Sequence, residues 1–231
     1  MSMDVSWLAA LLATDAPALP GAAWMRSYLT LSWIIPLSLF GAVVGWKLPW
    51  RARRIFALVF GMAGVAAGSA FPTYWLGLAF QSLSFSALFL AGSAISVVLA
   101  QPGKRETWQM ADHISPWYLF VAVLPGYLLL LDTFAVLPWQ IYAWGFSPLL
   151  LIFLMAVTLL PGVLRGFKLS WSTPEVWVAP TALLLFAATR LPSGNVWDAL
   201  LDPWLWLFLN AVLLRSIYRR WRGGHALAPQ I

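Results

Sequence analysis

The feature that most constrains this chain is a series of long apolar stretches that together occupy most of its 231 residues. A helix needs about 20 mostly apolar residues to cross the roughly 30 Å hydrocarbon layer of a membrane. Seven stretches meet this requirement, near residues 27–46, 55–72, 75–100, 116–137, 141–164, 174–190 and 203–218. The sequence therefore predicts an all-α fold, a polytopic integral membrane protein of seven transmembrane helices.

The composition excludes several classes of protein. Hydrophobic residues make up 61% of the chain and charged residues 10%, whereas a soluble domain has about 25% charged residues. An ordinary globular enzyme and a disordered chain are both excluded by these values. Cysteine is absent and there are two histidines, His113 and His225, which are too few for a histidine-built metal centre. We therefore expect no cofactor and no metal site.

The positive charges indicate the orientation in the membrane. Loops on the cytoplasmic side carry an excess of Lys and Arg. One side of the predicted bundle receives twelve of them, Lys47, Arg51, Arg53, Arg54, Lys104, Arg105, Arg165, Lys168, Arg215, Arg219, Arg220 and Arg222, and the other receives Arg26 and Arg190. We expect a multi-pass protein of the cell inner (plasma) membrane, with its N-terminus outside and its C-terminus cytoplasmic.

The domain organisation follows from this topology. Residues 1–23 form a predicted extracytoplasmic N-terminal segment, residues 24–218 the seven-helix transmembrane domain, and residues 219–231 a basic cytoplasmic tail. The net charge of +6 lies largely in that tail and the cytoplasmic loops. We expect anionic lipid as the partner of the tail and no binding to nucleic acid, because basic segments beside a membrane are attracted to anionic lipids.

Tryptophan is abundant, with sixteen residues, and most of them support the same arrangement. Indole rings favour the two membrane interfaces. The predicted inner boundary has Trp46, Trp50, Trp108, Trp117, Trp171 and Trp177, and the outer one Trp24, Trp75, Trp139, Trp144, Trp197 and Trp204. Trp33 is the exception, since it is predicted to lie deep in the first span. Aromatic belts are the favoured interpretation, and a tryptophan-rich cofactor pocket is the alternative.

A short internal similarity suggests a repeat. Residues 45–50 read GWKLPW at the end of the first span, and residues 166–171 read GFKLSW at the end of the fifth. This suggests a 3+1+3 parallel repeat, in which spans one to three match spans five to seven. The plan resembles the architecture of SWEET-type sugar carriers and bacterial nicotinamide riboside carriers, without a shared motif. Selection for topology alone is the alternative explanation.

Other residues predict helix packing. The Gly64–Gly68 spacing allows the close approach of a second helix. Pro125 and Pro180 lie inside predicted spans, where proline loosens or kinks a helix. Asp202 precedes Pro203 and is interpreted as a helix cap. Asp112 and His113 form the one acid–imidazole pair, interpreted as a solvated pair at the interface, with a general base as the alternative.

The candidate binding residues are polar groups within apolar stretches. Asp132 and Arg190 are opposite charges at similar predicted depths, and Gln81 and Asn210 are predicted in the same outer half of the membrane. Charged groups in a membrane are costly and seek partners or water. We therefore expect Asp132, Arg190, Gln81 and Asn210 to form a substrate-binding cluster. A structural salt bridge or side chains extended to the outer interface are the alternatives.

These residues favour one function over two others. The leading hypothesis is a carrier or permease for a small polar solute. The alternative is a non-catalytic membrane subunit that anchors or organises a larger membrane complex. The expected protein partners are other subunits of such a complex or further copies of this chain in a homo-oligomer. A membrane-embedded enzyme is the least favoured, because no metal-binding His-Glu-x-x-His helix, nucleophile elbow or phosphate-binding glycine loop is present.

Overall fold

The computed structural model describes residues 19–65, 72–100, 116–164 and 174–225. In these four ranges all regular secondary structure is helical, so the all-α prediction is confirmed for them. The helices are α1 (Ala22–Leu31), α2 (Ile34–Val44), α3 (Trp50–Val65), α4 (Pro72–Phe80), α5 (Phe85–Val98), α6 (Pro116–Thr133), α7 (Ile141–Trp144), α8 (Pro148–Leu164), α9 (Pro174–Thr189), α10 (Val196–Leu200) and α11 (Pro203–His225).

One helical segment is long and apolar enough to cross a membrane, and it comprises α1 and α2 over Ala22–Val44. A signal sequence near an N-terminus meets the same two criteria. Several other apolar helices are shorter, with apolar segments at Phe85–Val98, Leu119–Thr133, Pro148–Val163 and Val176–Thr189. The seven-span topology therefore stays a prediction, and so does the multi-pass location in the inner membrane.

Local sequence signals explain where several helices begin. The hydroxyl of Ser84 accepts a hydrogen bond from the backbone N–H of Ala87 at the start of α5, at 3.0 Å. Asp202 accepts one from the N–H of Leu205 at the start of α11, at 2.8 Å. Each bond satisfies an N–H that the first helical turn leaves free. The prediction that Asp202 is a helix cap is confirmed.

In addition to the short turn at residues 32–33 between α1 and α2, two predicted spans are interrupted in the structure. The predicted span 75–100 consists of α4 and α5, which residues 81–84 separate, and the predicted span 141–164 consists of α7 and α8. Gln81 has a φ of 59°, in the left-handed region that a continuing helix does not use. Pro148 begins α8, and its ring nitrogen has no hydrogen to donate to a preceding turn. Apolar composition does not reveal either interruption.

The closest helix pairing joins α2 and α3 through small residues. A Cβ added at Gly41 would lie 2.7 Å from the carbonyl oxygen of Phe56. One added at Gly64 would lie 3.2 Å from Cγ1 of Ile34 in α2 and 3.0 Å from Cγ2 of Thr73 in α4. Only hydrogen fits at these positions without a shift. Close packing at Gly64 is therefore confirmed, whereas Gly68 lies outside the described residues. The repeat hypothesis stays a prediction, because residues 166–171 also lie outside them.

The largest buried cluster of side chains brings α1, α5, α9 and α10 together. Its members are Tyr28, Phe85, Ala182, Leu183, Phe186, Leu191, Val196 and Ala199. α9, which contributes to this cluster, continues through the internal proline Pro180, and α6 continues through Pro125. The segment that joins α9 to α11 contributes to the core and carries α10, so this connection is not a surface loop.

The outer surface of the bundle is rich in large apolar side chains. On α3, Leu58 and Met62 are 66% and 64% exposed, and on α8, Ile152 and Phe153 are 63% and 62% exposed. Soluble monomers rarely expose large continuous apolar patches. Faces of this kind are typical of surfaces that pack against lipid or another protein.

Candidate functional site

The candidate site lies at the interruption between α4 and α5. Gln81 follows the last residue of α4 in a left-handed conformation, and residues 82–84 lead to α5 without regular secondary structure. At such a break, the last turn of the helix that ends has carbonyl groups without hydrogen-bond partners inside the helix. The first turn of the helix that begins has N–H groups without such partners. In an apolar environment each such group needs a donor or acceptor from elsewhere in the protein.

Two aromatic side chains, one from α1 and one from the turn between α1 and α2, satisfy the carbonyl groups of the interruption. The indole N–H of Trp33 donates to the carbonyl of Gln81 at 2.9 Å. The hydroxyl of Tyr28 donates to the carbonyl of Leu83 at 2.8 Å. Both rings are buried. Neutral aromatic donors suit this position, because they combine one polar group with a large apolar surface. The predicted depth of Trp33 in the first span therefore has a structural reason.

The carboxylate of Asp202 satisfies the N–H side of the same interruption. One of its oxygens accepts from the backbone N–H of Ser84 at 2.8 Å and from the hydroxyl of Ser84 at 2.7 Å. The other oxygen accepts from the N–H of Leu205 at 2.8 Å. Asp202 is 6% exposed, and Ser84 is fully buried. One buried carboxylate thus joins the first turns of α5 and α11.

This arrangement is electrostatically favourable for a negative charge. The N-terminus of a helix has a partial positive charge from its aligned peptide dipoles. Two such termini, those of α5 and α11, meet at Asp202. The three donors to this carboxylate are neutral groups, two backbone amides and one hydroxyl. The geometry therefore satisfies both carboxylate oxygens in the core with neutral donors, and none of the lysines or arginines that the structure describes is among these donors.

A second polar group of contacts is centred on Tyr142 of α7, and we call it the Tyr142 junction. The backbone N–H of Tyr142 donates to Asp132 at 2.8 Å, and its hydroxyl donates to Asp198 at 2.9 Å. Its carbonyl accepts from the side-chain amide of Asn195 at 2.9 Å. Through these bonds one residue links the end of α6, the segment after α9, and α10.

The Tyr142 junction is packed as closely as its hydrogen bonds suggest. Asn195 is fully buried, and its side-chain oxygen accepts from the N–H of Trp197 at 2.9 Å. The indole of Trp197 donates to the carbonyl of Ile141 at 3.0 Å. A Cβ added at Gly145 would collide with the side-chain oxygen of Asn195 and would lie 2.6 Å from Cδ1 of Trp197. Glycine is therefore required at position 145 by this close approach.

Asp198 is the acidic residue of the Tyr142 junction whose ionisation is perturbed. It lies between the predicted sixth and seventh spans. Burial raises the pKa of its carboxyl above the usual value, hydrogen bonds from Ser193 and Tyr142 oppose this rise, and the nearby charge of Asp202 adds to it. Burial is the largest of these effects and disfavours the charged form.

In the structure, each of the four predicted binding residues has its own contacts and does not contact the other three. Asp132 bonds to Tyr142, and Asn210 accepts from the hydroxyl of Tyr127 at 2.7 Å. The Arg190 guanidinium lies 5.2 Å from the centre of the Phe186 ring, and Gln81 is exposed at the interruption.

Among these four, Asp132, Arg190, Gln81 and Asn210, no hydrogen bond or ion pair joins any two. A structural salt bridge between Asp132 and Arg190 is therefore not formed. The backbone of Arg190 has its own contact, since its carbonyl accepts from the indole of Trp24 at 3.2 Å. Their shared role in substrate binding stays a prediction.

Sequence reasoning missed part of this site. Asp202 was recognised as a cap of its own helix, but its two bonds to Ser84 span 118 residues and leave no local pattern. Tyr28 and Tyr142 carry no signal beyond being polar aromatic residues in apolar stretches. Serine is a common helix cap, and its hydroxyl accepts from the N–H of the residue three positions later, which for Ser84 is Ala87. This was the one available indication that Ser84 starts a helix.

Within the described ranges, no group of three or more His, Cys, Asp and Glu side chains is arranged to hold a metal ion. The Asp112 and His113 pair lies outside those ranges. No protein-family model matches the chain, and no curated protein or solved structure is significantly similar to it. The function must therefore be argued from the chemistry of the site and not from kinship.

Proposed function

We propose that the chain is a multi-pass carrier of the inner membrane for a small polar solute, which binds beside the interruption between α4 and α5. The observation that supports this proposal is the interruption itself, held against the buried carboxylate of Asp202. Discontinuous helices with polar groups at their broken ends are a recurrent way to build a solute site in a membrane carrier.

The membrane location is supported by the exposed apolar faces of α3 and α8 together with the apolar segment Ala22–Val44. We assign the seven spans to the segment of α1 and α2, to α3, to the pair α4 and α5, and to α6, α8, α9 and α11. The distribution of Lys and Arg supports a cytoplasmic C-terminus.

In this proposal the two halves of the interrupted span have different roles. The start of α5 is fixed to α11 by the bonds between Ser84 and Asp202. α4 connects to α5 through residues 81–84, which are outside any helix. Hinges are formed by a few residues at the ends of helices. Gln81 is the exposed polar side chain of this hinge, so we assign it to contact with the solute.

The second candidate function is a non-catalytic subunit that anchors or organises a larger membrane complex. The observation that favours it is the satisfaction of the interruption by the protein itself, through Trp33, Tyr28 and Asp202. A rigid scaffold needs its polar groups to be bonded permanently, whereas a carrier needs some of them to exchange partners with a solute.

Reconstitution into liposomes tests the carrier proposal. Uptake of a panel of radiolabelled amino acids, sugars and nucleosides should exceed that of empty liposomes for at least one solute class. Gln81→Ala should lower that uptake about tenfold, the effect expected for one lost hydrogen bond to a solute. Gln140→Ala removes another exposed glutamine, from the segment before α7, and should have no effect.

The opposite outcome is equally specific. If no solute enters the liposomes, and the protein purifies from its own membrane with other chains in fixed stoichiometry, the subunit function replaces the carrier. If uptake occurs but Gln81→Ala and Gln140→Ala behave alike, the chain is a carrier whose solute does not bind at the interruption.

A further inference from the structure

The turn between α2 and α3 concentrates positive charge. Lys47, Arg51, Arg53 and Arg54 lie within eight consecutive residues, and none of them forms an ion pair within the described part of the chain. Three of these residues are in the first turns of α3, where no acidic residue is present. We call these four residues, together with Trp46 and Trp50, the basic turn.

The position of the basic turn opposes the stability of α3. The N-terminus of a helix has a partial positive charge, so cations there are unfavourable and anions favourable. The four side chains also repel one another, because like charges a few ångströms apart raise the free energy of the fold. An anion bound at this position would relieve both effects.

Two of the arginines are already engaged in the fold. Arg53 donates to the carbonyl of Val98 at the end of α5 at 2.8 Å and to that of Trp46 at 2.9 Å. Arg54 donates to the carbonyl of Leu99 at 3.3 Å. These bonds hold the basic turn against the end of α5, but carbonyl groups do not neutralise a guanidinium charge. The positive potential of the turn therefore remains.

The other two cations are available to a ligand. Lys47 and Arg51 are exposed, and their side chains donate no hydrogen bond to the described residues. Arg51 and Arg54 lie 5.4 Å and 4.6 Å from the centre of the Trp50 ring, so their guanidinium carbons are at most about 10 Å apart. Stacking on the indole orders both groups close to the same ring.

We propose that the basic turn binds the headgroup phosphate of an anionic phospholipid of the inner leaflet. Arginine and lysine donors suit phosphate oxygens, and tryptophan at both ends of the turn suits the membrane interface. The inner leaflet supplies anionic lipid at high local concentration. This inference rests on the membrane location and orientation proposed above and is independent of solute transport.

A lipid titration of the purified protein by native mass spectrometry tests the proposal. With phosphatidylglycerol as the probe, the wild-type protein should retain one tightly bound lipid, and phosphatidylcholine should bind much more weakly. Lys47→Gln with Arg51→Gln should weaken the binding of phosphatidylglycerol about tenfold or more. Removing the two charges also relieves the repulsion described above, so thermal stability in phosphatidylcholine micelles should not fall.

Two control variants separate this site from general charge. Arg26→Gln with Arg215→Gln removes two exposed positive charges elsewhere and should change the affinity less than twofold. Lys47→Arg with Arg51→Lys retains both charges and should retain binding. Equal losses in the two double glutamine variants, or no loss in the Lys47 and Arg51 variant, would overturn the site.

Two further experiments identify the ligand and test the membrane location separately. Inorganic phosphate at 10 mM should not displace the bound lipid, and displacement by it would assign the turn to free anions instead. Membrane fractionation of the expressing cells reports separately on location. A chain found in the soluble fraction would end the proposed function, whereas a membrane chain without lipid selectivity would end this inference alone.

Discussion

The carboxylate of Asp202 and the first turn of α5 are joined by two hydrogen bonds to Ser84, at 2.8 Å to its N–H and 2.7 Å to its hydroxyl. The same carboxylate caps α11 through Leu205. A helix interruption and a helix start that are distant in the chain therefore share one buried charge. A movement of α5 relative to α11 must therefore break the hydrogen bonds between Ser84 and Asp202, unless the two helix starts move together.

Loss of the Asp202 charge should destabilise the protein strongly. Asp202→Asn leaves one oxygen for three donors, and an unsatisfied buried donor costs about 1–3 kcal/mol. Ser84→Ala should cost about 1–2 kcal/mol, because it removes a cap and one bond to the carboxylate. Thermal unfolding of both single variants and of the double variant checks this. The double variant should lose less than the sum of the two, and strict additivity would show that the residues are not coupled.

The non-glycine residues with left-handed backbones provide a second prediction. Gln81, Ala135 and Arg190 have φ values of 59°, 52° and 61°, a conformation that costs residues other than glycine roughly 1–2 kcal/mol. Ala135→Gly should therefore raise the melting temperature. The control is Ala156→Gly, at an exposed position in the interior of α8, which should lower stability by about 1 kcal/mol. A loss of stability in both variants would contradict the conformational argument.

Close packing at Gly145 should make that position intolerant of a side chain. Gly145→Ala places a methyl group against Asn195 and Trp197, and overpacking typically costs about 1–3 kcal/mol. Gly92 of α5 has no atom within 4 Å of an added Cβ. Gly92→Ala should therefore stabilise its helix by up to about 1 kcal/mol. Circular dichroism melts of the two variants measure both shifts, and shifts of the same sign would refute the packing.

Asp198 should make stability depend on pH. Because the folded protein holds the pKa of this carboxyl above its unfolded value, the protonated form favours folding. Its contribution is fully present below the unfolded pKa of about 3.9 and is lost as pH rises through the folded pKa. Asp198→Asn should remove this component, so its stability relative to the wild type should increase as pH rises from 4 to 8. A constant difference over this range would show that burial does not perturb Asp198.

The proposed orientation can be checked with single cysteines, since the natural chain has none. Gln140→Cys, in the exposed segment before α7, should react with an impermeant maleimide added to intact cells. Leu48→Cys, in the exposed turn before α3, should react only after the membrane is permeabilised. The reverse pattern would invert the topology, and labelling of both positions in intact cells would contradict a membrane-spanning chain.

Several features of the fold were accessible from the sequence because they depend on neighbouring residues. Asp202 before Pro203 indicated a helix start, since a cap and the donor that it satisfies are three residues apart. The apolar stretches indicated helices, because a chain in an apolar environment must satisfy its backbone groups internally. The small residue at Gly64 indicated close packing, which the approach of Thr73 confirms. Each of these signals lies within one or two turns of a helix.

The tertiary structure alone decided which polar groups meet. The apolar composition of residues 75–100 does not predict the interruption at Gln81, because the backbone conformation of one residue does not change the mean hydropathy of the segment around it. The charges of Asp132 and Arg190 suggested a pair, but Asp132 instead accepts from Tyr142. Contacts between distant segments depend on how whole helices pack, and many packings satisfy the same apolar pattern. The sequence by itself therefore determined the helical, apolar character of the chain, while packing determined that Asp202 would meet Ser84.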